Sequence, residues 1–123
     1  MQRSARAHGF GVLSRRETSA GVVASVTYVT EGDVDETDDV VGIAHVLEHM
    51  YFKGTASRGV GQIARETKAS GGYLNAGTIY DNTHYYTVLP SSGFAAGLAI
   101  QADAYANSLI YSGELGRELE AII

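Results

Sequence analysis

His45 and His49 stand four residues apart, with Glu48 directly before the second, and this spacing is the part of the chain best suited to chemistry. On a helix each residue turns about 100°, so the two imidazoles and the carboxylate fall within about 100° of arc on one face. Two neutral imidazoles placed this way can share one Zn2+. The neighbouring carboxylate can take a proton from zinc-bound water and deliver it to a leaving amine. The commoner zinc-hydrolase order puts Glu directly after the first His, so H-x-x-E-H is the inverted order. With 4 His in 123 residues, a chance match is expected in about one chain in a hundred of this composition. A pair of surface or hydrogen-bonded core histidines is the plain alternative, and the pentad by itself leaves it open.

The surroundings extend the pattern. The chain reads Gly42-Ile43-Ala44-His45-Val46-Leu47-Glu48-His49-Met50-Tyr51-Phe52-Lys53-Gly54-Thr55, then Gly71-Gly72-Tyr73-Leu74-Asn75-Ala76-Gly77-Thr78, then Asp81-Asn82-Thr83-His84-Tyr85-Tyr86. It closely resembles the pitrilysin family, which includes insulinase-type and mitochondrial-processing-type peptidases. Members of that family are similar to one another in G-x-A-H-x-x-E-H-x-x-F-K-G-T, S-G-G-x-x-N-A-x-T and D-x-T-x-Y, in that order. The resemblance runs from about Gly9 to the last residue without an evident gap.

The resemblance implies a zinc-dependent endopeptidase. His45 and His49 would bind the metal and Glu48 would activate the water, with the oxyanion stabilised by the metal and nearby donors. It also implies that the strand holding Asn75 and Ala76 pairs with extended substrate, with Asn75 near the substrate backbone. For Asn75 the alternative is a turn or strand-end residue bonding its own backbone. The family's third zinc ligand is a Glu about 76 residues after the second His, which counted from His49 is position 125, two residues past the last one. Arg117-Glu118 matches the earlier part of that helix pattern, so Glu118 aligns with a family glutamate standing behind the ligands. Seven residues of helix span about 10.5 Å against a Zn–O bond of about 2 Å, so Glu118 does not replace the missing ligand, and Glu120 points from another face. The expectation is therefore the N-terminal part of one catalytic domain, truncated before the third ligand. In the family this domain pairs with a second, similar domain or subunit. Two other readings stay open: a non-catalytic partner or scaffold subunit, and a fragment inactive as it stands.

Composition limits the function classes. The 123 residues suit one domain with a modest core, at 45% hydrophobic and 19% charged residues. A net charge of −5 gives no electrostatic support to a nucleic-acid partner. No cysteine is present, which removes disulfides and thiolate ligands and leaves His, Asp and Glu for a metal. No apolar run approaches the ~20 residues of a membrane span, so a soluble protein is expected, in a bacterial compartment or an organelle matrix. Arg3, Arg6, Arg15 and Arg16 occur without an acid in the first 16 residues. A targeting remnant, if there is one, is confined to about the first eight residues.

The elements that must position the pentad follow from periodicity. Phe10–Arg16 and Val22–Thr30 read as strands joined at Thr18-Ser19-Ala20-Gly21. Glu31–Asp39 holds six acids in nine residues. It fails as an EF-hand, because Asp38 and Ala44 stand where Gly and Glu are needed, so it reads as a solvated loop with Thr37 or Asp38 capping the next helix and its carboxylates facing that helix's positive end. The motif helix should run from about Asp39 to Phe52, packing through Val40, Ile43, Ala44, Leu47 and Tyr51. Gly59-Val60-Gly61-Gln62-Ile63-Ala64 imitates a dinucleotide fingerprint but follows a polar loop rather than a strand, so it reads as the start of a helix from Val60 to Ala69. Tyr73–Ile79 and Thr83–Leu89 read as strands linked at Tyr80-Asp81-Asn82. A long helix from Gly93 carries Phe94, Leu98, Ala102, Tyr105 and Leu109 as a core face, and a last helix begins near Ser112. The fold class is α+β: a mostly antiparallel sheet, four strands of it here, with helices packed on one face, resembling the first half of a pitrilysin-type domain.

Overall fold

The structure, a computed structural model, describes residues 1–122. Five strands, β1 (Gln2–Ala5), β2 (Gly11–Ser14), β3 (Val22–Val29), β4 (Tyr73–Ile79) and β5 (Asn82–Pro90), accompany four helices, α1 (Ile43–Met50), α2 (Gln62–Ala69), α3 (Phe94–Asn107) and α4 (Ser112–Ile122). The class is α+β with antiparallel pairing throughout, as expected. The division into sheets differs. Instead of one four-stranded sheet there is a three-stranded sheet in the order β3-β5-β4 and a separate β1-β2 hairpin. The cause lies at Arg6–Phe10, where His8 (φ 63°) and Gly9 (φ 78°) reverse the chain and give β2 a partner of its own.

The sheet buries one face. Thr83, Tyr85, Thr87 and Leu89 alternate along β5 and are all buried, while Val22, Val26 and Tyr28 of β3 and Tyr73 and Ile79 of β4 are exposed. The helices lie on the buried side, around a core of Tyr51, Ile63, Tyr85, Ile100 and Ala104. Tyr51 of the turn after α1 stacks on Tyr85 of β5 with ring centroids 4.2 Å apart.

Two predicted helix faces are corrected. In α3 the expected stripe points outward, with Leu98 47% and Tyr105 54% exposed and Phe94 and Ala102 also at the surface, while Gly97, Ile100, Gln101 and Ala104 are buried. Both faces are apolar, so periodicity does not choose between them, but only the second has side chains small enough for close approach to the sheet. A Cβ on Gly97 would lie 1.9 Å from Leu89 Cδ1, and Leu89 is only 2% exposed. Gln101 is satisfied there by donating to Thr87 Oγ1 at 2.6 Å. In α1, Val46 and Met50 are buried while Val40, Ile43 and Leu47 remain exposed; Tyr51 is buried as expected. A one-face reading assumes one neighbour, whereas α1 packs between the sheet and α4 and so is covered on two sides.

Gly97→Ala is expected to destabilise the chain by about 1–3 kcal/mol through overpacking, outweighing the ~1 kcal/mol by which alanine is the better helix former. Leu89→Ala should cost about 2–5 kcal/mol, and the double variant less than the sum. Urea unfolding of the three proteins measures this; a Gly97→Ala protein as stable as the parent would mean that Leu89 moves aside.

Candidate metal and catalytic site

Helix α1 begins at Ile43 rather than Asp39 because Gly42 takes a left-handed conformation (φ 88°) that ends the preceding turn. That bend turns its first free N–H groups back toward the acidic loop. There Glu36, rather than Thr37 or Asp38, caps the helix: Oε2 accepts from Gly42 N–H at 2.6 Å and Oε1 from Ala44 N–H at 2.8 Å. Thr37 Oγ1 instead donates to Asp39 Oδ1 at 2.5 Å. The capping bonds, from Ala44 first and Gly42 second, hold the Glu36 carboxyl below its usual range. The residues after α1 are pinned as firmly. Asp103 of α3 accepts from Asn107 at 3.0 Å, Thr55 at 2.8 Å, Arg58 at 2.5 Å and Ser57 at 2.9 Å, which holds its own carboxyl far below the usual range.

Between these anchors the structure brings together three of the predicted residues. His45 Nε2 and His49 Nε2 face each other at 3.1 Å, with their rings edge to face and centroids 4.7 Å apart. Glu118 reaches across from α4, its Oε2 lying 2.6 Å from His49 Nδ1. Glu118 is held below the ordinary carboxylate range, first by Lys53 and then by His49, so it is an anion and His49 Nδ1 donates to it. In a neutral His49 this leaves Nε2 as the lone-pair nitrogen, on the side facing His45. Glu48 is held by a different element. It is 8% exposed, and its Oε2 accepts from Thr78 Oγ1 of β4 at 2.6 Å. Its charge, after burial, contributes to raising the Tyr85 phenol to about 12.

Asn75 and Ala76 lie on β4, an edge of the three-stranded sheet. The exposed Asn75 turns its side-chain carbonyl to accept from Ala76 N–H at 2.9 Å, so in this structure it bonds the adjacent backbone. No hydrogen bond links either residue to the histidine pair among the described residues. Sequence reasoning gave no role to Thr78 or Lys53, although both stand inside the quoted N-A-G-T and F-K-G-T strings, and it did not single out Glu36 among the loop carboxylates facing the helix.

The donor set suits zinc as far as it goes. Two imidazoles converge through the same ring atom, and the second is oriented from behind by a carboxylate. Among the described residues no third His, Asp or Glu completes a metal-binding group.

Comparisons with known proteins agree on one family. A family model described as Insulinase (Peptidase family M16) matches residues 11–123. An uncharacterized zinc protease of Rickettsia bellii is 36% identical over 116 residues, covering 94% of this chain and 28% of that protein. A probable mitochondrial-processing peptidase subunit beta of Arabidopsis thaliana is 34% identical over 116 residues, covering 94% of this chain and 22% of that protein. The crystal structure of a Helicobacter pylori protease superposes with a TM-score of 0.92 at 26% identity, covering 98% of this chain and 29% of that one. A peptidase M16 domain of Pseudomonas fluorescens described as inactive shares the fold with a TM-score of 0.89 at 19% identity, covering 98% of this chain and 29% of that one. The chain thus spans 22% and 28% of the length of the two sequence relatives named here.

The Glu36 cap gives a pH dependence of known sign. A depressed carboxyl contributes stability above its unfolded value of about 4.3, and that contribution is lost as pH falls through the lower folded value. The stability gap between the parent and Glu36→Ala should therefore be widest near neutrality and narrow below about pH 4. Urea unfolding across that range checks it; a gap independent of pH would show that the bonds to Gly42 and Ala44 are not made by the ionised carboxylate.

Proposed function

Since the chain belongs to the insulinase family, peptidase family M16, we propose that it provides part of the active site of a zinc-dependent endopeptidase that hydrolyses peptide bonds with water. The observation that carries this reading is the pair of Nε2 atoms 3.1 Å apart, with the His49 ring held from behind by Glu118. The fold alone does not carry it, because one domain sharing the fold is described as inactive. Retention of the H-x-x-E-H pentad favours the enzyme over the alternative of a non-catalytic partner subunit.

His45 and His49 would hold the zinc through Nε2, and a third, anionic ligand would come from outside the described residues. Zinc bound there would supply Lewis-acid polarisation of the scissile carbonyl and of the attacking water. Glu48 then acts as the base. Thr78 occupies its Oε2, which leaves Oε1 to take the proton from water and return it to the leaving amine. The outer edge of β4 would accept an extended peptide as an added strand. For that, the Asn75 side chain must release Ala76 N–H, exchanging an internal partner for the substrate backbone. A second homologous domain or subunit would close the other side of the peptide. The substrate class is peptides and unfolded segments, because a folded segment cannot present a free strand.

The intact protein is expected to carry about one zinc per catalytic domain and to lose peptidase activity to chelators. Glu48→Gln should lower turnover by at least ~10²-fold while retaining zinc, whereas His45→Ala and His49→Ala should lose the metal. Metal analysis alongside hydrolysis of an unstructured peptide decides it. Activity that survives chelation in a zinc-free protein, or a Glu48→Gln enzyme at the parental rate, would refute the reading.

A further inference from the structure

The turn after α1 carries a cation that the mechanism above leaves unused. Lys53 reaches from that turn to α4, where its Nζ forms ion pairs with Glu118 Oε1 and, at 3.8 Å, with Glu114 Oε2. All three side chains are largely shielded from solvent. The two oxygens of Glu118 therefore have different partners, Oε1 to Lys53 and Oε2 to His49 Nδ1. A lysine ammonium only donates, so the carboxylate accepts from both sides. The base of Lys53 is itself fixed: Leu109 N–H donates to Gly54 O at 3.0 Å, and the Asp103 cluster ties down Thr55, Ser57 and Arg58. A long, flexible side chain thus leaves a rigid turn and ends on the carboxylate that orients a candidate ligand.

We propose that Lys53 is a positioning residue for the metal site: by gripping Oε1 of Glu118 it sets the carboxylate so that Oε2 holds the Nδ1 proton of His49 and Nε2 is left to ligate. The proposal rests on the reading of His49 as a zinc ligand. Without the ammonium, Glu118 is free to rotate about its terminal bonds, and ordering it on His49 alone costs side-chain entropy that Lys53 otherwise offsets. Lys53 reaches both carboxylates of α4, as a simple clamp would, but its closer partner is the one that also touches His49. Arg117 is the built-in contrast: it pairs with Glu114 in the same cluster, is exposed, and does not reach Glu118.

The test compares Lys53→Met, Lys53→Arg and Arg117→Gln in the intact protein with two readouts. The first is zinc affinity by competition with a chromophoric chelator. Lys53→Met should weaken binding by about 10- to 100-fold, as loss of a group supporting a metal ligand does, with Lys53→Arg restoring most of it and Arg117→Gln leaving it unchanged. The second is the His49 tautomer in metal-free protein, read by 15N-resolved NMR of the imidazoles: Nδ1–H in the parent and in Lys53→Arg, a mixture with Nε2–H in Lys53→Met. A purely structural clamp would lower the melting temperature and move neither. If circular dichroism shows Lys53→Met unfolded, Lys53→Gln, which removes the charge and shortens the reach, is read the same way. Parental zinc affinity together with an unchanged tautomer in the folded variant overturns the role of Lys53. Failure of the parent to bind zinc, or binding indifferent to His49→Ala, overturns the zinc reading instead.

Discussion

Glu48 and His49 are adjacent in sequence, so their side chains leave α1 about 100° apart and no single neighbouring element can satisfy both. The structure meets this constraint with two supports of different kinds. On one side β4 presents the Thr78 hydroxyl to Glu48; on the other α4 presents the Glu118 carboxylate to His49. The rotation of α1 about its own axis is thereby fixed by polar contacts on both sides, and a tilt that improved one would strain the other. The Glu36 cap and the Asp103 cluster fix the two ends of the same segment and leave it little freedom to slide.

The packing beneath follows from that placement. A helix held between a sheet and another helix buries residues on opposite sides, so Val46 and Met50 are covered as well as Tyr51, and ridges on either flank stay exposed. One ridge carries His45, which is exposed, as the proposed function would require. The other carries Ile43 and Leu47, apolar and uncovered here. At the far end of the sheet Leu89 takes the space left by the absent side chain of Gly97, which draws α3 close to β5. The hydroxyl of Thr87 lies near enough to α3 to satisfy Gln101 for the same reason.

The pentad and its flanking motifs made the family and the α+β class legible before any coordinates, because metal-ligand spacing and ordered motif strings survive without tertiary information. The starts of α3 and α4 and both long hairpin strands were also readable, from glycine and proline punctuation and from alternation, whereas α2 starts at Gln62 rather than Val60 because Gly61 is left-handed (φ 78°). What the sequence did not show was which apolar stripe faces inward. In α3 the choice depends on one close approach at Gly97, and a glycine adds nothing to a hydrophobic pattern. In α1 it depends on a second neighbour, which periodicity does not count. The Glu36 cap was missed because it reaches from six residues before Gly42, beyond the usual local capping window. Thr78 and Lys53 were missed as participants because their partners, Glu48 and Glu118, are 30 and 65 positions away, a distance only the fold closes.

Helix α4 buries none of its described residues and touches the rest chiefly through α1. Segments with so little burial open at a small fraction of the global unfolding free energy. Each such opening removes Glu118 from His49 and Lys53 together, while the Glu48–Thr78 contact, seated over the sheet, persists. Among the described residues, the two halves of the site thus rest on supports of very different burial. In hydrogen exchange of the described residues the amides of α4 would lose protection before those of β5, and the orientation of His49 would change on that faster clock while Glu48 stayed in place.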